Sequence, residues 1–377
     1  MSGEEDEGHP MKSENRQQAA ARGVMIGVME LMDREACYRA FQTHDARFDG
    51  RVFVGVTSTG IYCRPICPAR TPKFSNCRFF ASAAAAQEAG FRPCLRCRPE
   101  IAPELAFWRG SSNTVSRALK LIAEGALDES EAGVEAFAER LGIGGRQLRR
   151  LFSQHLGASP IAVAQTRRVL FAKQLIHDTQ LAMTEVALSA GFGSVRRFNE
   201  TFAKLFGRPP SSLRRRQGPD NSAREGVTLR LSYRPPYDWP GMLEALKSRA
   251  ARKVERIEND VWHRQIELDG RRGSVSVAHL PERSSVAVTI RFPDVRSLPP
   301  IVARVKRVFD LGADIVTIDM HLARDPKLAP LIAKRPGLRA PGDWDRDVPI
   351  ALDPKVPPAW RPWHAYAEQH LRMAGHA

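Results

Sequence analysis

Two periods of apolar residues divide this chain. Between positions 115 and 216 the apolar residues recur three and four apart, as in Leu148 with Phe152 and Phe198 with Phe202, the spacing of one helix face. From Val227 onward the period falls to two. Val227-Thr228-Leu229-Arg230-Leu231-Ser232-Tyr233 alternates as a strand, as do Val275-Ser276-Val277 and Val286-Ala287-Val288-Thr289-Ile290, with one helix expected at 242–246. Ahead of the helical region, Ala36-Cys37-Tyr38-Arg39-Ala40-Phe41 has a helical pattern and Cys77-Arg78-Phe79-Phe80 alternates. Cys37 and Cys77 are therefore expected as core thiols.

Punctuation separates these regions. Residues 1–32 are polar, biased and without a useful period, which predicts a disordered lead, with Met25, Met29 and Met32 as alternative starts. Gly110-Ser111-Ser112-Asn113 and Gly218-Pro219-Asp220-Asn221-Ser222 read as linkers. The expected division is 33–103, 111–217, 226–297 and 298–377. The helical region also repeats itself. Ala138 and Gly142 recur forty-nine positions later as Ala187 and Gly191, and Leu148, Phe152, Gly157 and Pro160 recur fifty later as Phe198, Phe202, Gly207 and Pro210. Each copy reads as a helix-turn-helix: alanine where two helices cross, glycine in the turn, then a second helix. With Leu148 and Phe152 inward, Arg146, Arg149 and Arg150 line the opposite face of the first recognition helix. With Phe198 and Phe202 inward, the second presents Val195, Arg196, Arg197 and Glu200. Glu200 either accepts from a cytosine amino group or pairs with Arg196 at i,i+4.

Cysteine spacing brings in chemistry. Cys63-x3-Cys67, twenty-six residues, then Cys94-x2-Cys97 predicts a tetrathiolate zinc site in polar, basic surroundings. With four of six cysteines so used, a disulfide framework is disfavoured and a reducing compartment, the cytoplasm, is expected. A formal charge of +15 in 377 residues points to a polyanion, most simply double-stranded DNA. No run reaches the roughly 18 apolar residues of a membrane span. The stretch Val24-Met25-Ile26-Gly27-Val28-Met29 lacks the basic leader of a signal peptide.

The words around the ligands carry a resemblance. Thr59-Gly60-Ile61-Tyr62-Cys63-Arg64-Pro65, Cys67-Pro68-Ala69-Arg70 and Gly90-Phe91-Arg92-Pro93-Cys94-Leu95-Arg96-Cys97-Arg98-Pro99 resemble the N-terminal domain of the Ada family of methyl-phosphotriester DNA repair proteins. That resemblance implies that Cys63 is both ligand and methyl acceptor, and that Thr59, Arg70, Arg92 and Arg96 contact the DNA backbone. As single residues, each arginine also reads as solvated surface charge. The helical repeat, with Ala190-Gly191-Phe192-Gly193-Ser194 and Phe202-Ala203-Lys204-Leu205-Phe206-Gly207-Arg208-Pro209-Pro210, resembles the AraC-family DNA-binding domain. The alternating region, with the words from Leu298 to Asp314, Leu322-Ala323-Arg324-Asp325-Pro326 and Arg335 to Asp345, resembles the front part of AlkA-type 3-methyladenine DNA glycosylases. After Asp345 the chain passes to Trp360-Arg361-Pro362-Trp363-His364, which resembles that family's last helix. The helix-hairpin-helix and catalytic aspartate are missing between them, where only Asp345, Asp347 and Asp353 offer carboxylates.

The expected fold is multidomain α+β. It comprises a small zinc-bound α/β module, an all-α double helix-turn-helix domain and an α+β sheet module like the AlkA N-terminal domain, followed by residual helices. Three functions compete. The first is a zinc-dependent single-turnover methyl acceptor that becomes a transcriptional activator, acting as a monomer with RNA polymerase. The second is a 3-methyladenine glycosylase with regulatory domains, and the third a zinc-stabilised transcription factor without chemistry. The Pro-Cys-His-Arg word of O6-methylguanine methyltransferases is absent.

Overall fold

The computed structural model describes residues 34–103, 113–128, 133–214, 226–249, 254–345 and 357–375. The lead 1–32, the linker residues 110–112 and 218–222, and Asp347 and Asp353 lie outside the described residues.

The first module has α1 (Arg34–Gln42), β1 (Phe53–Val56), β2 (Ile61–Cys63), β3 (Cys77–Phe80), α2 (Ala83–Glu88) and β4 (Arg92–Pro93). Its sheet runs β3-β1-β2-β4, antiparallel except for the β2–β4 pair, which aligns Ile61 with Arg92 and Tyr62 with Pro93. Strand alternation gives it two faces. Phe53, Tyr62, Phe80 and Phe91 pack on the alanines of α2. Val54, Phe41 and Cys77 pack around the four zinc-motif cysteines on the other side. Cys37 and Cys77 are both buried core thiols.

Among the described residues six helices follow: α3 (Asn113–Ala123), α4 (Gly133–Arg140), α5 (Gly145–Leu156), α6 (Pro160–Asp178), α7 (Met183–Ser189) and α8 (Val195–Phe206). The two helix-turn-helix units are α4–α5 and α7–α8. Their turn glycines, Gly142 and Gly191, have φ of +75° and +81°, a region costly for any residue with a Cβ. Ser159 and Ser194 cap α6 and α8 through their hydroxyl oxygens. The nineteen residues of α6 span about 29 Å at about 1.5 Å per residue, and this rod separates the two units. Leu148 and Phe152 of the first unit fill a core of their own. Phe198 and Phe202 of the second belong to a larger core shared with the sheet module.

That module begins with β5 (Val227–Ser232) and α9 (Trp239–Arg249), followed by β6 (Glu255–Glu258), β7 (Val261–Leu268), β8 (Arg271–Leu280) and β9 (Ser285–Arg291) in an antiparallel sheet ordered β5-β9-β8-β7-β6. Leu229, Val288, Val277 and Trp262 lie opposite one another across four strands and are fully buried. They pack with α9 and with α10 (Leu298–Val308), whose Ile301, Val302, Val305 and Val308 enter the same core. Of the helices after 297, α10 thus packs on the sheet module. α11 (Ile315–Leu322), α12 (Ala329–Lys334) and α13 (His364–Met373) form a small further core with Trp360, Trp363 and Tyr366 at its edge. The whole is multidomain α+β. No helix among the described residues is long and apolar enough to cross a membrane.

Candidate metal centre and nucleic-acid interface

The end of β2 delivers Cys63, and a tight turn closed by the Cys67 N–H on the Arg64 carbonyl brings Cys67 back beside it. β4 ends at Pro93, and the Cys94 N–H donates to the Tyr62 carbonyl at 3.0 Å, which places the second knuckle against the first. The Sγ atoms of Cys63, Cys67, Cys94 and Cys97 all lie within 4.8 Å of one another, and all four residues are buried. Tetrahedral zinc with Zn–S of about 2.3 Å asks for sulfurs about 3.8 Å apart, and the all-thiolate donor set fits that ion. As free thiols the four cannot all ionise. Hydrogen bonds with Cys67, Cys94 and Cys97 push the Cys63 thiol up, while those with Cys63 hold Cys94 and Cys67 down as the charged members. A dication removes this competition, and the site is a zinc site.

The backbone treats the four sulfurs unequally. The Arg64 N–H donates to Cys97 Sγ and the Arg96 N–H to Cys94 Sγ, each at 3.3 Å. The Ala69 N–H acts on Cys67. No backbone N–H donates to Cys63 Sγ among the described residues. Cys67 has no exposed surface, whereas Cys63, Cys94 and Cys97 retain 6%, 5% and 7%.

The arginines of the cysteine words divide into two groups. Arg70 and Arg96 are exposed and Arg92 is half-buried, none in an ion pair among the described residues. Thr59 is exposed in the β1–β2 turn, its hydroxyl on the Val56 carbonyl. Arg64 and Arg98, which sequence reasoning passed over, are buried. Arg64 is held by both oxygens of buried Asp49, with Nε to Oδ1 at 2.8 Å, and donates to the Cys97 carbonyl at 3.1 Å. Arg98 joins Glu100 at 2.9 Å and Asp178 at 2.7 Å, and Glu100 in turn pairs with Lys173 of α6. Lys173 Nζ also donates to the Cys94 carbonyl at 3.1 Å. The only sequence signal was position: both arginines directly follow a ligand.

On the recognition helices, Arg146, Arg149 and Arg150 of α5 are exposed, with Arg149 bonded to Glu135 of α4 at 2.5 Å. Arg196 and Arg197 of α8 are exposed too. Glu200 accepts from Arg196 Nε at 2.8 Å, the i,i+4 alternative. Val195 does not simply face outward. It is half-buried against the core shared with the sheet, because the start of α8 abuts that core.

These features define a zinc-binding module of Ada type followed by an AraC-type double helix-turn-helix. Residues 36–100 match the family described as the metal binding domain of Ada, residues 137–216 a helix-turn-helix domain family, and residues 228–345 the AlkA N-terminal domain, so the chain carries all three in one polypeptide. Among curated proteins it is similar to the probable bifunctional transcriptional activator/DNA repair enzyme AlkA of Mycobacterium tuberculosis strain H37Rv, with 40% identity over 313 residues, 82% of this chain and 62% of that protein. It is also similar to the bifunctional transcriptional activator/DNA repair enzyme Ada of Escherichia coli K12, 32% identical over 155 residues, 41% of this chain and 42% of that protein. A third relative is the bifunctional transcriptional activator/DNA repair enzyme AdaA of Bacillus subtilis 168, 29% identical over 182 residues, 47% of this chain and 81% of that protein. The chain spans about three-fifths of the length of the mycobacterial relative.

Proposed function

We propose that Cys63 accepts a methyl group from methyl phosphotriesters in double-stranded DNA, once per protein molecule, and that the methylated protein activates transcription of alkylation-response genes through its two helix-turn-helix units. The observation that carries this reading is the inequality among the four sulfurs. Cys94 and Cys97 each accept a backbone N–H and the Ala69 N–H lowers Cys67, which draws electron density from these sulfurs. Cys63 does not, so its sulfur is the most electron-rich and the best nucleophile of the set. Bound zinc keeps the sulfurs ionised near neutral pH. Cys63 Sγ attacks the methyl carbon, the S–C bond forms as the C–O bond breaks, and the phosphate oxygen leaves with the electron pair as an ordinary phosphodiester anion. Thr59, Arg70, Arg92 and Arg96 hold the neighbouring phosphates, since the triester offers little charge of its own. Arg146, Arg149, Arg150, Arg196 and Arg197 serve the major groove and its flanking phosphates, and RNA polymerase is the partner downstream.

Base excision by an AlkA-type site draws support from the match of residues 228–345, yet it needs a carboxylate aimed into a closed base pocket. Asp345 instead bonds Arg264 at 3.0 Å and keeps 71% of its side chain exposed. Mass spectrometry of the zinc-loaded chain after incubation with duplex DNA bearing one methyl phosphotriester tests the proposal. One methyl should appear on Cys63 and none on Cys63→Ser. A methyl on another cysteine, or uptake by Cys63→Ser, overturns the assignment.

A further inference from the structure

Given the reading of Cys63 above, on which this inference rests, we propose that the sheet module of residues 226–345 positions the methyl acceptor, and that Arg234 is the positioning residue through which it does so. Arg234 follows β5 and is 2% exposed. Its guanidinium reaches into the zinc module: Nε donates to the Asp49 carbonyl at 3.0 Å and Nη2 to the Pro103 carbonyl at 3.4 Å, while Nη1 holds Gly312 of its own module at 3.0 Å. One planar fork therefore ties the first turns of the zinc module, its last residue and the loop after α10. Asp49 then passes the constraint on. Its carboxylate grips Arg64, whose side chain donates to the Cys97 carbonyl and whose N–H donates to Cys97 Sγ. Arg64 is also covalently next to Cys63, so the position of Asp49 helps set both sulfurs.

Two further contacts bind the same seam. Arg51 of the zinc module pairs with Asp314 and bonds Thr317 Oγ1 at 3.1 Å, both of the sheet module. Within the zinc module, between Asp49 and Arg51, Gly50 has φ of +74°, and a Cβ there would lie 1.9 Å from the Pro103 carbonyl oxygen and 3.3 Å from Arg234 Nη2. The backbones have closed as far as a glycine allows. Leu95, between ligands Cys94 and Cys97, packs against the core that the helical domain and the sheet module share. Burial lowers the Arg234 pKa to about 10. Through Asp49 and Arg64, the nearest thing for this seam to fix is the sulfur cluster. Methyl transfer needs sulfur, carbon and leaving oxygen in line, and a displacement of about 1 Å can cost up to about 100-fold in rate.

The test uses the full zinc-loaded chain, a duplex with one methyl phosphotriester, and two variants, Arg234→Gln and the partly exposed Asp314→Asn. Zinc content, the first-order transfer rate at saturating DNA, the half-saturating DNA concentration and the 113Cd NMR line of the cadmium-loaded protein are measured. We expect Arg234→Gln to keep one metal and the same half-saturation, to slow transfer about tenfold or more, and to move the cadmium line, with Asp314→Asn giving a smaller shift of the same sign. A merely structural seam would leave the cadmium line where it was. Wild-type rates and an unmoved line in both variants overturn the proposal. If Arg234→Gln fails to hold metal, Asp314→Asn decides alone, and a wild-type rate with an unmoved line overturns it. Should the unaltered chain transfer no methyl, the reading of Cys63 fails, and the cadmium line still decides whether the seam acts on the cluster.

Discussion

Replacing Lys173 with methionine keeps most of the side chain's length and removes the charge that joins α6 to the zinc knuckle. The side chains of Lys173 and Glu100 have no exposed surface, and the same ammonium donates to the carbonyl of the ligand residue Cys94 at 3.1 Å. Burial by itself raises Glu100, but the charges of Lys173 and Arg98 outweigh it and hold the carboxyl below the usual glutamate range. Without Lys173 the carboxylate retains Arg98 at 2.9 Å. Losing one partner of a buried pair costs about 3–5 kcal/mol, and the surviving arginine puts this case at the lower end. The unpaired Cys94 carbonyl adds about 1 kcal/mol. With a guanidinium m-value of about 3 kcal/mol/M, the midpoint at which zinc passes to a chromogenic chelator should fall by about 1 M. The double variant Lys173→Met, Glu100→Gln removes the stranded charge and should recover more than half of that loss. An unchanged midpoint in the single variant, or losses that simply add in the double, would refute a buried, energetically coupled pair.

Methylation of Cys63 removes one negative charge near the DNA backbone, on the order of 2 kcal/mol per phosphate at about 7 Å and an effective dielectric of about 20 before screening. Methylated protein should therefore bind its promoter about tenfold more tightly, with a gain that shrinks as salt rises; equal affinities at low salt would eliminate the charge mechanism. Burial raises Asp310, which accepts from Tyr366 of α13, and Asp319 to about 6. A carboxyl raised in this way supports the folded state fully below pH of about 4 and loses that contribution as pH climbs through about 6. Asp310→Asn should accordingly raise the melting temperature relative to the unaltered chain at pH 8 and leave it nearly unchanged at pH 4, and an equal effect at both would contradict the assignment. Incubated with methylated DNA, the full chain should release no bases beyond a no-protein control; release abolished by Asp345→Asn would establish excision instead.

Short-range spacing made much of this protein legible. The intervals among Cys63, Cys67, Cys94 and Cys97 already specify four thiolates around one ion, and the structure gathers their sulfurs within 4.8 Å. The offset of forty-nine and then fifty residues reveals two helix-turn-helix units, because a turn glycine and an i,i+4 apolar pair are local requirements that recur with each copy. Period-two alternation gave β5, β8 and β9 for the same reason, whereas β6 and β7 were not read from it. The arginines were another matter. Arg64 and Arg96 both adjoin a ligand cysteine, yet one is buried on Asp49 and the other is exposed. Likewise Val195, outward by helical phase, is half-buried because it packs against the core its unit shares with the sheet module. Local pattern can state which face of an element is apolar, since periodicity is a property of a few consecutive residues. Whether a charge is buried depends on which distant group comes to neutralise or bond it, as when Arg234 reaches Asp49 or Lys173 reaches Glu100. Only the packed chain decides that.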